Sequence, residues 1–171
     1  MGSMADDSLK TNLSNPARTY LWEAMFTNPI GGGDAEVLMI RCQSAGVPGR
    51  SVGEILVPFK QTPGIKFPGK HVVSHAWATS FIEGMDKKVF NAIHAWNQAI
   101  VHDRLGVGGP DVAIKSNIYL RLLNTLGEVI MKIKFVGCYP QAVDDVPLAM
   151  DSEAAIYYTV TWSFDHWEEE A

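Results

Sequence analysis

The chain is poor in cysteine, and the two it has, Cys42 and Cys138, each sit in a segment with strand character. That scarcity excludes a disulfide-stapled scaffold and predicts two free, buried thiols. No stretch approaches the ~20 consecutive apolar residues that a membrane-spanning helix needs. The start, Met1-Gly2-Ser3-Met4-Ala5-Asp6-Asp7, lacks the basic and apolar stretches of a signal peptide, so a cytosolic working compartment is expected. Met1-Gly2-Ser3 ahead of a second methionine reads as an addition to the natural start and is left out of the fold reading.

Positive charge is also scarce where it would have to concentrate for tight DNA binding. Net charge is −5, and residues 144–171 carry eight acids and no base. A chain built to grip phosphate clusters Lys and Arg. Catalytic signatures are missing too: no Gly-x-Ser-x-Gly elbow, no phosphate loop with its lysine, no Cys-x-x-Cys pair and no His-Glu-x-x-His. Gly31-Gly32-Gly33 has neither the lysine nor the following helix of a phosphate loop and reads as a turn. His71 and His75 lie four apart in a strand-like segment, the wrong geometry for one ion. His94 and His102 are eight apart on a helical pattern, about 12 Å along its axis. Asp144, Asp145 and Asp151 lack the glycine and glutamate of a calcium loop. No catalytic residue, metal site or cofactor is expected.

What the sequence does have is material for a core. The 171 residues are 47% hydrophobic and only 19% charged, which argues against disorder and for one domain. Residues 1–17 are polar and read as an arm, residues 18–167 as the domain, and residues 168–171 as an exposed acidic tail. Period-2 alternation marks strands at 18–26, 36–44, 72–83, 113–124, 128–136 and 153–165. In the second, Leu38, Ile40 and Cys42 are expected to point inward. In the last, Ile156, Tyr158, Val160, Trp162 and Phe164 oppose Tyr157, Thr159, Thr161 and Ser163. Only one segment has convincing helical spacing: Val89, Ile93, Trp96 and Ile100, with Asp86 as its expected cap.

Residues 50–70 carry Pro58, Pro63 and Pro68, which rule out a central strand throughout. Their apolar side chains favour a protruding loop or hairpin buried on a partner rather than a disordered one. The expected fold is therefore mainly β, a barrel or two packed antiparallel sheets, with one flanking α-helix.

The order of features carries more than any single motif. Tyr20-Leu21-Trp22-Glu23 precedes Cys42-Gln43-Ser44, Val47-Pro48-Gly49 and the Pro/Gly-rich extension. Trp77-Ala78-Thr79-Ser80-Phe81 and the helical Trp96-Asn97 follow. Leu126-Gly127-Glu128-Val129-Ile130 then runs into Phe135-Val136-Gly137-Cys138-Tyr139-Pro140, and the chain closes on 158–167. This order resembles the tail tube proteins of contractile-tailed bacteriophages, a family that also covers R-type pyocin tubes. More distantly it is similar to the haemolysin-coregulated tube protein of type VI secretion.

The resemblance implies a structural virion protein without catalysis. Hexameric rings of it would stack into a hollow tube inside a contractile sheath, with baseplate and tail-terminator partners, assembled in the host cytoplasm. DNA would cross the lumen without specific binding. It further implies a ring-stacking loop containing Val47, Pro48, Gly49, Ile55, Val57, Phe59, Ile65 and Phe67. Glu36, Gln43, Glu54, Thr159, Thr161 and Ser163 are the residues expected to face the lumen. The Lys115, Arg121, Lys132 and Lys134 face is expected to lie outward or between subunits, paired with a neighbour's acids. A type VI-like tube carrying effectors, or a ligand-binding β-barrel, are the alternatives.

Overall fold

Apolar alternation across most of the chain leaves each strand with one greasy face, and two such faces bury each other. The computed structural model describes residues 16–30, 34–72, 74–101, 106, 108 and 110–170. Asp103–Leu105, within the Asp103–Gly106 stretch expected to end the helix, and the Gly31–Gly33 turn lie outside them. The described strands are β1 (Trp22–Met25), β2 (Cys42–Ala45), β3 (Ser51–Phe59), β4 (Thr62–Val72) and β5 (Ala76–Ile82), then β6 (Ser116–Leu123), β7 (Val129–Val143), β8 (Tyr157–Ser163) and β9 (His166–Glu170). The helices are α1 (Asp34–Arg41), α2 (Lys88–Ile100) and a single turn, α3 (Asp111–Ile114).

All pairings are antiparallel, in the order β1-β6-β7-β8-β5-β2, with β9 also on β7. The long β7 belongs to both layers: its first half pairs β6 and β9, its second half pairs β8. The bend falls at Gly137, whose φ of 69° is left-handed. The result is two packed sheets joined through one bent strand, with β3–β4 standing apart as a two-stranded ribbon.

Aromatic rings fill the space between the layers. Trp77 stacks on Phe135 with centroids 4.4 Å apart, and Trp162 meets Trp96 edge-on at 5.3 Å. Each buried indole N–H finds an acceptor: Trp77 on the Gly46 carbonyl (2.6 Å), Trp96 on the Ile114 carbonyl (2.7 Å) and Trp162 on the Thr79 hydroxyl (2.8 Å). Buried tryptophan is stable only with such partners, since a lone buried donor costs about 1–3 kcal/mol. Val89, Ile93 and Trp96 of α2 are buried in this core, and Ile100 packs half-buried against it. Cys138 is fully buried and Cys42 half-buried; both are unpaired, and burial pushes both thiols up to about 12.

Four expectations need correction. Residues 34–41 form a helix, not a strand. Glu36 near the start and Arg41 in the last turn suit the helix dipole, and Ala, Glu, Leu and Met are good helix formers. Leu38 is buried as expected, whereas Ile40, expected inward, is 67% exposed. Second, β7 continues through Pro140 because that half of the strand is paired only with β8 and its register shifts between Pro140 and Ala142, an edge and irregularity where proline is tolerated. Third, residues 166–170 are a paired strand rather than an exposed tail. Fourth, the strand expected from Ala113 begins only at Ser116, after the α3 turn.

Asp86 caps α2 only at its first N–H, accepting that of Lys88 at 3.5 Å. The N-cap is Lys87 in a left-handed conformation with no side-chain cap bond of its own. Glu83, one residue past the end of β5, supplies the rest. Its carboxylate accepts the N–H groups of Gly84 (2.9 Å), Val89 (3.3 Å) and Phe90 (2.7 Å).

Arg41 at the end of α1 clasps the same site. It donates to both Asp86 oxygens at 2.8 Å and to Glu83 at 3.3 Å, tying the two helices together. Gly84 leaves room for it: a Cβ there would lie 2.8 Å from Arg41 Nη1. The Arg41 hydrogen bond holds the Asp86 carboxyl down to about 2. A carboxyl depressed in the folded state contributes stability above its unfolded value and loses it as pH falls. Asp86→Asn is therefore expected to be less stable than the parent at pH 5–7, with the gap closing between about pH 4 and pH 2. Thermal unfolding across that range checks it; a gap independent of pH contradicts the clasp.

Candidate functional site

Three surfaces combine unusual composition with a defined place in the fold. The first is the β3–β4 ribbon. Its register sets Ile55 opposite Phe67 and Val57 opposite Ile65 on one face, and Phe59 follows beyond a register shift. These five side chains are between 45% and 59% exposed. A contiguous apolar face of this kind on a strand pair marks a protein contact. The other face carries Glu54, Leu56 and Lys66, with Lys66 Nζ 2.8 Å from a Glu54 oxygen. That pair is solvent-exposed and contributes little.

The ribbon is moored at its base. Val47, Pro48 and Gly49 lead from β2 into β3 as irregular chain, Trp77 holds the Gly46 carbonyl, and the Arg50 guanidinium sits 4.3 Å over the Trp167 ring. The register slips between Val52 and Glu54 and again between Val57 and Phe59. These irregularities let Pro58, Pro63 and Pro68 sit within a paired ribbon.

The second surface is the outer face of the β7-β8-β5-β2 layer. Thr159, Thr161 and Ser163 align there with Ser80, Ala78 and Ala76 of β5, and Ser80 is in turn opposite Ser44 of β2. This patch of small side chains holds no acid or base. The other residues expected with it are dispersed: Gln43 at a β2 irregularity, Glu36 on exposed α1, and Glu54 out on the ribbon. The structure brings together only the β8 row.

The third surface, the outer face of β1-β6-β7-β9, is a lattice of opposite charges. Arg121 bonds Glu23 (3.0 Å), Lys132 pairs Glu170, Lys134 reaches Glu168 (2.9 Å) and Glu170 (3.6 Å), and Lys115 meets Asp165 (3.1 Å). The Glu168 hydrogen bond raises the Lys134 pKa, and Lys132 lowers that of Glu170. The expectation that these cations await a neighbour's acids is corrected: the acids come from β1, β9 and the bend between β8 and β9. Sequence reading missed this because it treated 168–171 as a tail.

Nothing in the described residues assembles into a reaction centre. His94 stacks on Phe90 (5.2 Å) above a groove of about 390 Å³ floored by Val89, Ile93 and Tyr158, with no carboxylate or thiol beside it. Among the described residues no group of three His, Cys, Asp or Glu side chains is placed to hold a metal. His71 lies in β4, His75 precedes β5, and His102 is outside the described residues. The three surfaces have the composition of contact surfaces.

Comparison with known proteins agrees. Residues 11–170 match the family profile described as phage tail tube protein. The anti-feeding prophage cap, a tube-terminating cap, superposes with a TM-score of 0.66 at 19% identity over 92% of each chain. The sheath/tube terminator of the extracellular contractile injection system PVC gives 0.66 at 17%, over 93% of this chain and 99% of that one. The sheath–tube complex of that system gives 0.65 at 17%, over 100% and 99%. At such identities the likeness is one of fold. No curated protein matches the sequence significantly.

Proposed function

The chain belongs to the phage tail tube protein family and is a structural tail tube subunit, and from that premise we propose how it builds the tube. Six copies close each ring, and the apolar β3–β4 face, with Val47–Gly49 at its root, docks on the next ring. The Thr159–Ser163 row lines a lumen through which DNA passes. The observation that carries the reading is the ribbon: Ile55, Val57, Ile65 and Phe67, half-exposed and on one face, in a two-stranded sheet of its own.

Sixfold closure is supported by the sixfold-symmetrised anti-feeding prophage baseplate, which has the same fold (TM-score 0.65, 12% identity, 92% of this chain and 97% of that one). The sheath–tube, terminator and baseplate assemblies among the relatives support a sheath outside, a baseplate at one end and a terminator at the other. The working place is then the tail of a phage-like particle, assembled in the host cytoplasm. No catalytic step is part of this role.

An uncharged lumen suits DNA passage. The duplex carries one negative charge per ~1.7 Å, so lumenal cations would hold it. Thr159→Lys/Thr161→Lys is therefore expected to assemble normal tubes but release DNA at least about tenfold more slowly at low salt. Unchanged release would remove that row from the lumen. A second reading, a tube carrying proteins instead of DNA, is favoured by the injection-system origin of the solved structures. Tubes that assemble in particles delivering no DNA would select it.

A further inference from the structure

The charged sheet face has a feature that tube building does not require. Arg121 of β6 stands opposite Lys132 of β7, and Lys134 follows two residues on. Lys132 and Lys134 are then about 6.8 Å apart along their strand. That is the axial rise of two phosphates on one DNA strand at about 3.4 Å each. Lys132 is braced over the Tyr119 ring at 4.8 Å, which fixes its direction. Two lysines at this spacing, with Arg121 beside Lys132 on the next strand, set three cations on one face, and each is capped by an acid of the same chain.

The caps come from strands flanking the row on both sides. Glu23 on β1 takes Arg121, while Glu168 and Glu170 on β9 take Lys134 and Lys132. Glu23 does not saturate its partner, since the Arg121 Nε is buried without an acceptor. Ion pairs this exposed typically add at most about 1 kcal/mol to stability, so stabilisation alone is a weak reason for the arrangement. Their effect on the surface potential is larger, because together they cancel all three positive charges.

We propose that Arg121, Lys132 and Lys134 form a latent binding row for double-stranded DNA, and that Glu23, Glu168 and Glu170 keep it masked. β9 is then an electrostatic shield as well as a strand. Its purpose, keeping subunits and tube from adhering to the genome they handle, rests on the DNA-passage reading; the masking itself does not. Binding is measured on the isolated subunit and DNA release on particles, so either can fail alone.

The test is fluorescence anisotropy of a labelled 20-base-pair duplex with the full chain in about 20 mM salt. Glu23→Gln/Glu168→Gln/Glu170→Gln retains side-chain size and unmasks the row. Asp144→Asn/Asp145→Asn/Asp151→Asn, in an exposed loop, changes net charge equally and serves as the control. The unmasked variant is expected to bind at least about tenfold tighter than parent and control. Its log K against log salt should fall with a slope near −2.7, for three cations at about 0.9 each. Adding Lys132→Gln/Lys134→Gln should return binding to the parental level. Glu170→Gln alone, which touches both lysines at the end of β9, should give a smaller gain in the same direction and covers the case of a misfolded triple variant. Equal binding by unmasked and control proteins, or a gain that survives loss of both lysines, overturns the proposal.

Discussion

Replacing Ile55, Val57, Ile65 and Phe67 with serine leaves a folded subunit that no longer forms long tubes. Fully burying a large apolar side chain is worth about 1.5–3 kcal/mol, and each of these is already about half covered within its own ribbon. Docking therefore gains roughly 1 kcal/mol from each, about 4 kcal/mol per subunit contact, or close to a thousandfold in the stacking equilibrium. The four are absent from the buried core, so the subunit's own unfolding should move by less than about 0.5 kcal/mol. Sedimentation and negative-stain microscopy read the first effect, thermal unfolding the second. Glu54→Gln/Lys66→Gln, on the opposite face, should leave both within error, because an exposed pair is worth at most about 1 kcal/mol. Tubes of ordinary length from the serine variant would mean the apolar face is not the stacking contact.

Gly137→Ala is expected to be the most damaging single substitution outside the aromatic core. The residue sits at φ 69°, which costs an alanine about 1–2 kcal/mol. Its new Cβ would fall inside the van der Waals envelope of Asp165 Oδ2. Asp165 is held by Lys115 at 3.1 Å and its N–H donates to the Val136 carbonyl at 2.9 Å, so it has little room to yield. Overpacking of this kind adds about 1–3 kcal/mol, for a total of roughly 2–5 kcal/mol. Denaturant unfolding measures it. Asp165→Ala in the same chain should recover part of the loss by removing the clash; full additivity of the two would show that the contact is not the cause.

Much of this fold was legible because strand alternation survives wherever one face is buried. Trp77, Thr79 and Phe81 against Val160, Trp162 and Phe164 are buried as their spacing requires, and α2 presents Val89, Ile93 and Trp96 inward. The segment 36–44 misled because Leu38, Ile40 and Cys42 satisfy period 2 while Val37, Leu38 and Arg41 satisfy the helical period. Dipole-matched ends decided it, and Arg41 gains its partners only in three dimensions, 42 and 45 residues away. β9 was hidden because His166–Glu170 is mostly acid, and its acids meet Lys132 and Lys134, and Trp167 the core, only once the strand is paired. The apolar ribbon, by contrast, was readable in outline, since six large apolar residues among prolines cannot all be left to solvent. Its amphipathic faces were not readable, because the irregularities at 52–54 and 57–59 decide which side chains share a side.

Cryo-electron microscopy of polymer assembled from the purified full-length chain tests the central claim most directly. The account expects stacked sixfold rings with Ile55, Val57, Ile65 and Phe67 buried against the adjacent ring and the Thr159–Ser163 row turned to the channel. A chain that remains monomeric under every assembly condition, or a tube in which that ribbon face points into solvent, would contradict it.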